Sequence, residues 1–229
     1  MDSDKISPRH LGGAGDLDLG LGSMQDSYKL ISEECIMPRR QIIFSQGSYY
    51  HIFNRGVGRE RIFRNEENYR YLLRLIGEQT KTFLISVIVY CLMPNHYHFL
   101  FRQDGDRPIS EFLQAVFNTY VKAFNKRFNR TGALLEDRFK AVRVESEEYL
   151  VHLCRYIHRN PIDANPPLVK VLEDWSYSNY PDFIGAREGK LIDQEFTKEM
   201  FTNGELYKTF VLDSPSLKVL QRMEKMLLD

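Results

Sequence analysis

Hydrophobic positions along this chain switch between two periods. Residues 48–54 are aromatic and β-branched and predict a strand, closed by a turn at Arg55-Gly56-Val57-Gly58. From Glu66, the positions Tyr69, Leu72, Leu73 and Ile76 recur at helical spacing, so an amphipathic helix is expected, ending at Gly77. Residues 83–92 are a continuous apolar run and predict a buried strand. Met93-Pro94-Asn95 turns the chain into a second strand at 96–102, and the two should pair as a hairpin. A long helix is expected over 108–130. Its apolar face comprises Ile109, Phe112, Leu113, Val116, Phe117, Tyr120, Phe124 and Phe128, and Gly132 should cap its end. Residues 134–144 read as short strand or loop. Ser146 then N-caps a helix with Glu147 and Glu148 in its first turn, which should stop at Asn160, before Pro161.

Hairpin strands mixed with helices imply an α+β domain with an antiparallel sheet. Three segments are expected. Residues 1–36 read as a flexible acidic tail around LGGAGDLDLGLG, with Met37 a candidate translation start. Residues 37–184 form the main domain, ending in an aromatic loop with Trp175, Tyr177, Tyr180 and Phe183. Residues 185–229 are a helical extension whose last helix aligns Leu217, Leu220, Met223 and Leu227. No apolar run reaches the ~18 residues of a membrane span, and the start does not read as a signal peptide. Cys35, Cys91 and Cys154 are scattered, which suits reduced thiols in the cytoplasm.

The 229 residues carry 31 bases and 31 acids, a net charge of zero that argues against a nucleic-acid partner. Its distribution reverses that inference. Residues 37–160 hold 20 bases and 12 acids, while the two outer segments are each net −4. Lys122, Lys126, Arg127, Arg130, Arg138, Lys140 and Arg143 crowd one stretch opposed only by Glu136 and Asp137. That stretch reads either as a solvated face or as a phosphate-tracking surface.

The chemistry nearby decides between them. His96 and His98 are two apart on a strand, so both point to one face, where they can grip one divalent ion. Tyr156 and Asn160 are four apart on a helix and share a face, with His152 one turn earlier. Beside a metal, the amide can be a third, neutral ligand and the phenol a nucleophile. Each motif alone is also compatible with ordinary packing.

The motifs together resemble those of the HUH endonucleases, specifically the small single-tyrosine transposases (the IS200-like domain) and their REP-associated branch. The matching residues are YHIFNRG at 50–56, LMPNHYHFL at 92–100, NRTG at 129–132, DRFK at 137–140, RYIHRNP at 155–161 and WSYS at 175–178. The resemblance implies a ferredoxin-like antiparallel sheet flanked by helices. It also implies Mg²⁺ or Mn²⁺ held by His96 and His98, with Tyr156 as the nucleophile. Insertion-sequence relatives carry glutamine where this chain has Asn160; the REP-associated branch carries asparagine, so the metal role is kept. The implied activity is cleavage and strand transfer of single-stranded DNA near hairpins or palindromic repeats, through a 5′-phosphotyrosine. Arg55, Arg138 and Lys140 are expected phosphate contacts, with Lys122, Lys126, Arg127, Arg130 and Arg143 extending the surface. Asn54 could face the site or the core. Tyr120 is a rival nucleophile placed on the core face. A monomer is favoured over a dimer. The alternatives are a domesticated transposase that binds DNA or RNA hairpins without cleaving them, and a zinc hydrolase using the same histidines.

Overall fold

The computed structural model describes residues 42–213. The expected acidic tail, the Met37 start, Cys35 and the final Leu217–Leu227 helix lie outside the described residues. Four strands form one antiparallel sheet in the order β2-β3-β1-β4: β1 (Tyr49–Arg55), β2 (Ile85–Met93), β3 (His96–Gln103) and β4 (Lys140–Val144). The β2–β3 hairpin forms as expected, pairing Cys91 with His98 and Met93 with His96. β1 lies against β3 with Phe53 opposite His98 and Arg55 opposite His96. On its other side Phe53 is opposite Lys140.

Alternation sorts each strand onto two cores. Tyr50 and Ile52, with Tyr97, Phe99 and Phe101, face α1 (Glu66–Phe83) and α2 (Ile109–Arg127), meeting Leu72, Ile76, Phe112, Val116 and Tyr120. Leu100, with Val89 and Cys91, faces α3 (Glu147–Asp163), meeting Leu150, Leu153, Cys154 and Ile157. A sheet covered on both faces explains why β2 reads as an unbroken apolar run. A bulge at Val87/Val89 turns Ile88 and Val89 toward the second core, while Val87 and Tyr90 stay with the first.

Three expected boundaries move, each for a physical reason. The first helix does not end at Gly77 but runs to Phe83, where Leu84 takes a left-handed conformation. Gly77 sits inside it, where even a Cβ would come only to van der Waals contact with Leu191 Cδ1, 3.4 Å away. Gly132 is not the cap of α2, which ends at Arg127 with Phe128 as C-cap; Gly132 supplies a positive φ in the loop beyond. Most consequentially, α3 does not stop at Asn160 but carries Pro161 inside it and ends at Asp163. Pro161 lacks the N–H that would reach the Ile157 carbonyl. The Asn160 side chain makes up for it, donating from Nδ2 to Tyr156 O (2.9 Å) and Ile157 O (3.3 Å). The buried Leu150, Leu153 and Ile157 contribute about 5–9 kcal/mol of transfer free energy, more than the ~3 kcal/mol an interior proline costs.

The segment after α3 closes the open edge of β2. Leu92 N donates to Tyr177 O, and Asn179 N donates to Tyr90 O. The Asn179 side chain bonds Tyr90 N and Ile88 O. Tyr177 stacks on Tyr69 at 3.7 Å. Short helices α4 (Tyr180–Phe183), α5 (Gln194–Met200) and α6 (Gly204–Leu212) complete the second core through Tyr180, Phe183, Phe196, Tyr207 and Val211. His158 of α3 is buried there between Tyr207 OH (2.7 Å) and Asn179 Oδ1 (3.0 Å). Asn179 Oδ1 can only accept, so the neutral ring donates from Nε2 and accepts from Tyr207 at Nδ1. Among the described residues no helix is long and apolar enough to cross a membrane.

Candidate functional site

Where the ends of β1, β3 and β4 meet α3, a cleft of about 580 Å³ opens. Its walls include Phe53, Arg55, Arg59, Asn95, His96, His98, Arg138, Lys140 and Tyr156. Local sequence builds each wall. Gly56 ends β1 because the chain doubles back there: a Cβ would lie 2.2 Å from Glu60 O. Its N–H bonds Asn95 O, and Pro94 O accepts from Ile62 and Phe63, which ties this loop to the β2–β3 turn. Arg59 and Asp137, both cleft residues, hold positive φ angles without being glycine.

His96 and His98 share one face of β3 as expected, with ring centroids 5.2 Å apart. Asn95 orients the first: its Nδ2 donates to Arg59 O (3.3 Å), which leaves Oδ1 on His96 Nδ1 (2.7 Å). Asn160 acts on the His96 ring in the sense that favours its protonated form. With Nδ2 engaged by backbone carbonyls, the Asn160 group left for the ring is Oδ1. Burial lowers the His96 pKa, Asn160 opposes the fall, and Arg55 adds to it. His98 is buried, and its pKa is pushed well below normal by burial, then by His51 and His96. Both rings are therefore neutral at pH 7 and able to offer lone pairs.

This donor set fits a divalent cation. Neutral His96 has one ring proton, donated from Nδ1 to Asn95 Oδ1, which leaves Nε2 as the atom with a free lone pair. His96, His98 and the Asn160 amide would be the groups to hold such an ion. Two imidazoles and one amide oxygen leave room for water and phosphate, as suits Mg²⁺ or Mn²⁺. Among the described residues no cluster of three His, Cys, Asp or Glu side chains could hold a metal, so the set lacks the third strong ligand that structural zinc prefers.

Tyr156 stands edge-on to His98, with centroids 5.6 Å apart at 87°, and edge-on to His51 at 6.3 Å. Among the described residues its hydroxyl makes no hydrogen bond. Burial pushes its pKa up to about 12, with smaller contributions from Tyr149, Asp163 and Cys91. The rival Tyr120 faces the opposite layer, its hydroxyl donating to Ile62 O at 2.5 Å and its pKa raised by burial. His152 does not join the Tyr156 face in the cleft; it lies against Phe210, 5.6 Å away. Cys91 and Cys154 are free and buried.

The expected basic surface divides. Arg55, Arg138 and Lys140 line the cleft, with Arg55 paired to Glu136. Asn54 is at the rim, accepting from Arg55 N at 2.8 Å. Arg130 braces a neighbouring loop through Ala133 O and Glu60. Lys126 and Arg127 line a separate groove between α1 and α2, on the other side of the sheet, and Lys122 is on the same helix. Arg143 alternates away from Lys140 and bonds Ser48 Oγ at 3.1 Å. Arg59, in the cleft wall, and His51, buried behind His98, were given no role from the sequence. Arg59 is remote from the basic stretch. His51 lies in the matched YHIFNRG string, but its place behind His98 depends on the β1–β3 register.

Residues 44–160, just over half of the chain, match the family model described as Transposase IS200 like. No curated protein matches the chain in sequence. Among solved structures, a REP-associated tyrosine transposase bound to a REP hairpin is similar in fold, at 17% identity and a TM-score of 0.51, covering 69% of this chain and 94% of that one. A Deinococcus radiodurans R1 protein described as a candidate transposase aligns at 16% identity with a TM-score of 0.37, over 52% of this chain and 94% of that one. The span matched by the family model runs from Phe44 to Asn160 and takes in both cleft histidines, Tyr156 and the asparagine. This chain belongs to the IS200-like transposase family.

Proposed function

We propose that this transposase-family protein cleaves and rejoins single-stranded DNA beside a hairpin, using Tyr156 as nucleophile and Mg²⁺ or Mn²⁺ as cofactor. The observation that carries the reading is the position of Tyr156: its hydroxyl has no hydrogen-bond partner among the described residues, and its ring stands 5.6 Å from His98 in a cleft edged by Arg55, Arg138 and Lys140.

His96, His98 and Asn160 would hold the ion, which when bound supplies positive charge to the scissile phosphate and favours ionisation of the phenol. Tyr156 Oη attacks phosphorus, the bond from phosphorus to the 3′ oxygen breaks, and DNA remains on the protein as a 5′-phosphotyrosine. The phenol gives up one proton and the departing 3′ oxygen takes one up. One phosphodiester replaces another, so the step is nearly isoenergetic and runs backward onto a new 3′-OH without ATP. With a phenol pKa near 12, little phenolate exists at pH 7, and proton loss must accompany attack. Arg55, Arg138 and Lys140 orient the strand by its phosphates. Phe53, at the cleft wall, offers an apolar surface for a base. Tyr156 and His98 of the same chain lie close enough to act together, so the proposed site needs no residue from a second copy. A hairpin substrate follows the similar REP-associated transposase, described as bound to a REP hairpin.

The test uses end-labelled single-stranded hairpin DNA with Mn²⁺. The expected products are an SDS-resistant adduct that retains the fragment 3′ of the cut, and a fragment with a polymerase-extendable 3′-OH. An adduct carrying the opposite fragment, or one that persists in Tyr156→Phe, refutes the assignment.

A further inference from the structure

The chemistry proposed above leaves His51 unused. It sits in the middle of β1, fully buried, with its Nε2 3.1 Å from His98 Nδ1. The two rings are within 18° of coplanar and their centroids are 5.3 Å apart. That is the geometry of an in-plane N–H···N hydrogen bond, not of a face-to-face stack. Phe53 lies against the His51 ring, centroids 4.8 Å apart. The far nitrogen, His51 Nδ1, is buried and has no hydrogen-bond partner among the described residues.

We propose that His51 is a positioning residue that accepts the Nδ1–H of His98 and so holds the His98 Nε2 lone pair toward the cleft. This rests on the reading of His98 as a metal ligand.

A neutral imidazole has one proton and two nitrogens, and only the bare nitrogen can ligate. His98 has Nδ1 against His51, so it offers Nε2 to an ion only with its proton on Nδ1. His51 must then accept at Nε2 and carry its own proton on Nδ1, the partnerless atom. The reverse arrangement, His51 Nε2–H donating to His98 Nδ1, leaves His98 protonated at Nε2 and unable to ligate. It also leaves an unpaired lone pair at His51 Nδ1 instead of an unpaired N–H, so it is the resting arrangement. Metal binding selects the other one, with two ring protons in each. A ligating histidine commonly donates its second nitrogen to a carboxylate or carbonyl. An imidazole acceptor fixes the tautomer without adding negative charge beneath a site that must admit a phosphodiester.

The experiment uses the full-length protein labelled with ¹⁵N-histidine, and long-range ¹H–¹⁵N correlation spectra with and without Mg²⁺. The expected result is His98 in the Nδ1–H form when Mg²⁺ is bound, with His51 also protonated at Nδ1. His98 remaining Nε2–H at saturating Mg²⁺ overturns the proposal, and this readout requires no variant. In parallel, Mn²⁺ affinity is measured by electron paramagnetic resonance titration, without DNA. His51→Phe should weaken it by about 10–100-fold, the usual range for losing such a partner. His51→Gln, whose amide oxygen reaches the place of Nε2, should recover most of the loss. If Mn²⁺ binding is lost in His98→Ala but unchanged in His51→Phe, the positioning role falls while the metal site stands. If binding is indifferent to His98→Ala, the metal-site reading falls and this inference with it.

Discussion

Asn160 has two tasks, and substitutions can pull them apart. Its Nδ2 donates to Tyr156 O and Ile157 O, the second being the carbonyl that Pro161 deprives of a donor, which leaves its Oδ1 as the proposed metal ligand beside His96. Asn160→Ala removes both bonds. At ~0.5–1.5 kcal/mol net for each, the loss is about 1–3 kcal/mol. Alanine's better helix propensity returns about 0.6 kcal/mol. The net expectation centres near 1.5 kcal/mol, or about 3–6 °C in Tm for a domain of this size. Asn160→Asp keeps an oxygen but loses the donor, and it sets a carboxylate against two carbonyl oxygens. Metal-free, it should be less stable than Asn160→Ala. In Mn²⁺ affinity the order reverses, because aspartate keeps an oxygen ligand and adds charge. Urea denaturation in EDTA and calorimetric Mn²⁺ titration measure the two separately. An alanine variant as stable as the parent would refute the role assigned to the amide beside Pro161. Equal Mn²⁺ affinity in the alanine and aspartate variants would refute the ligand.

Further predictions follow from the same geometry. Lys140→Ala, which removes a charge at the cleft, should weaken single-stranded DNA binding and reduce the slope of log K against log salt by about one; Arg143→Ala, on the opposite face, should leave the slope unchanged, and equal effects would contradict the division of the basic surface. His158 is held neutral by burial with its pKa near 3, against 6.5 unfolded, so the unfolded chain binds the extra proton and stability is lost as pH falls below about 6.5. Each such histidine contributes about 1.4 kcal/mol per pH unit near pH 5, and His158→Gln should lower the slope of unfolding free energy in EDTA by that amount; an unchanged slope would contradict the neutral buried ring. His96→Ala should abolish adduct formation while hairpin binding in EDTA persists, and a gel-shift assay run beside the cleavage assay checks both.

What the sequence could and could not reveal follows from where the information lies. The HxH pair was legible because strand alternation alone puts His96 and His98 on one face. The Tyr156–Asn160 pair was legible because helical spacing puts four-apart residues together. Neither period says which face of which element meets the other, and that comes from α3 burying Leu153 and Ile157 against Leu100 and Val89. His51 was not assigned because its relation to His98 is a cross-strand register spanning 47 residues of sequence. The end of α3 was misplaced because the proline rule takes no account of tertiary packing, and here Pro161 is buried and Ile162 packs on the second core. The seven-base stretch looked continuous because sequence order hides the fact that α2 and β4 lie in different layers. Charge identified the kind of partner; alternation decided that Lys140 faces the cleft and Arg143 does not.

The central claim is that Tyr156 becomes covalently joined to DNA. The direct measurement is mass spectrometry of the adduct formed with a single-stranded hairpin and Mn²⁺, after nuclease and protease digestion. The expected product is a nucleotide 5′-phosphate on the peptide containing Tyr156, on the tyrosine oxygen and nowhere else. A modified Tyr120, or the same strand cleaved with no protein-linked nucleotide, would contradict it.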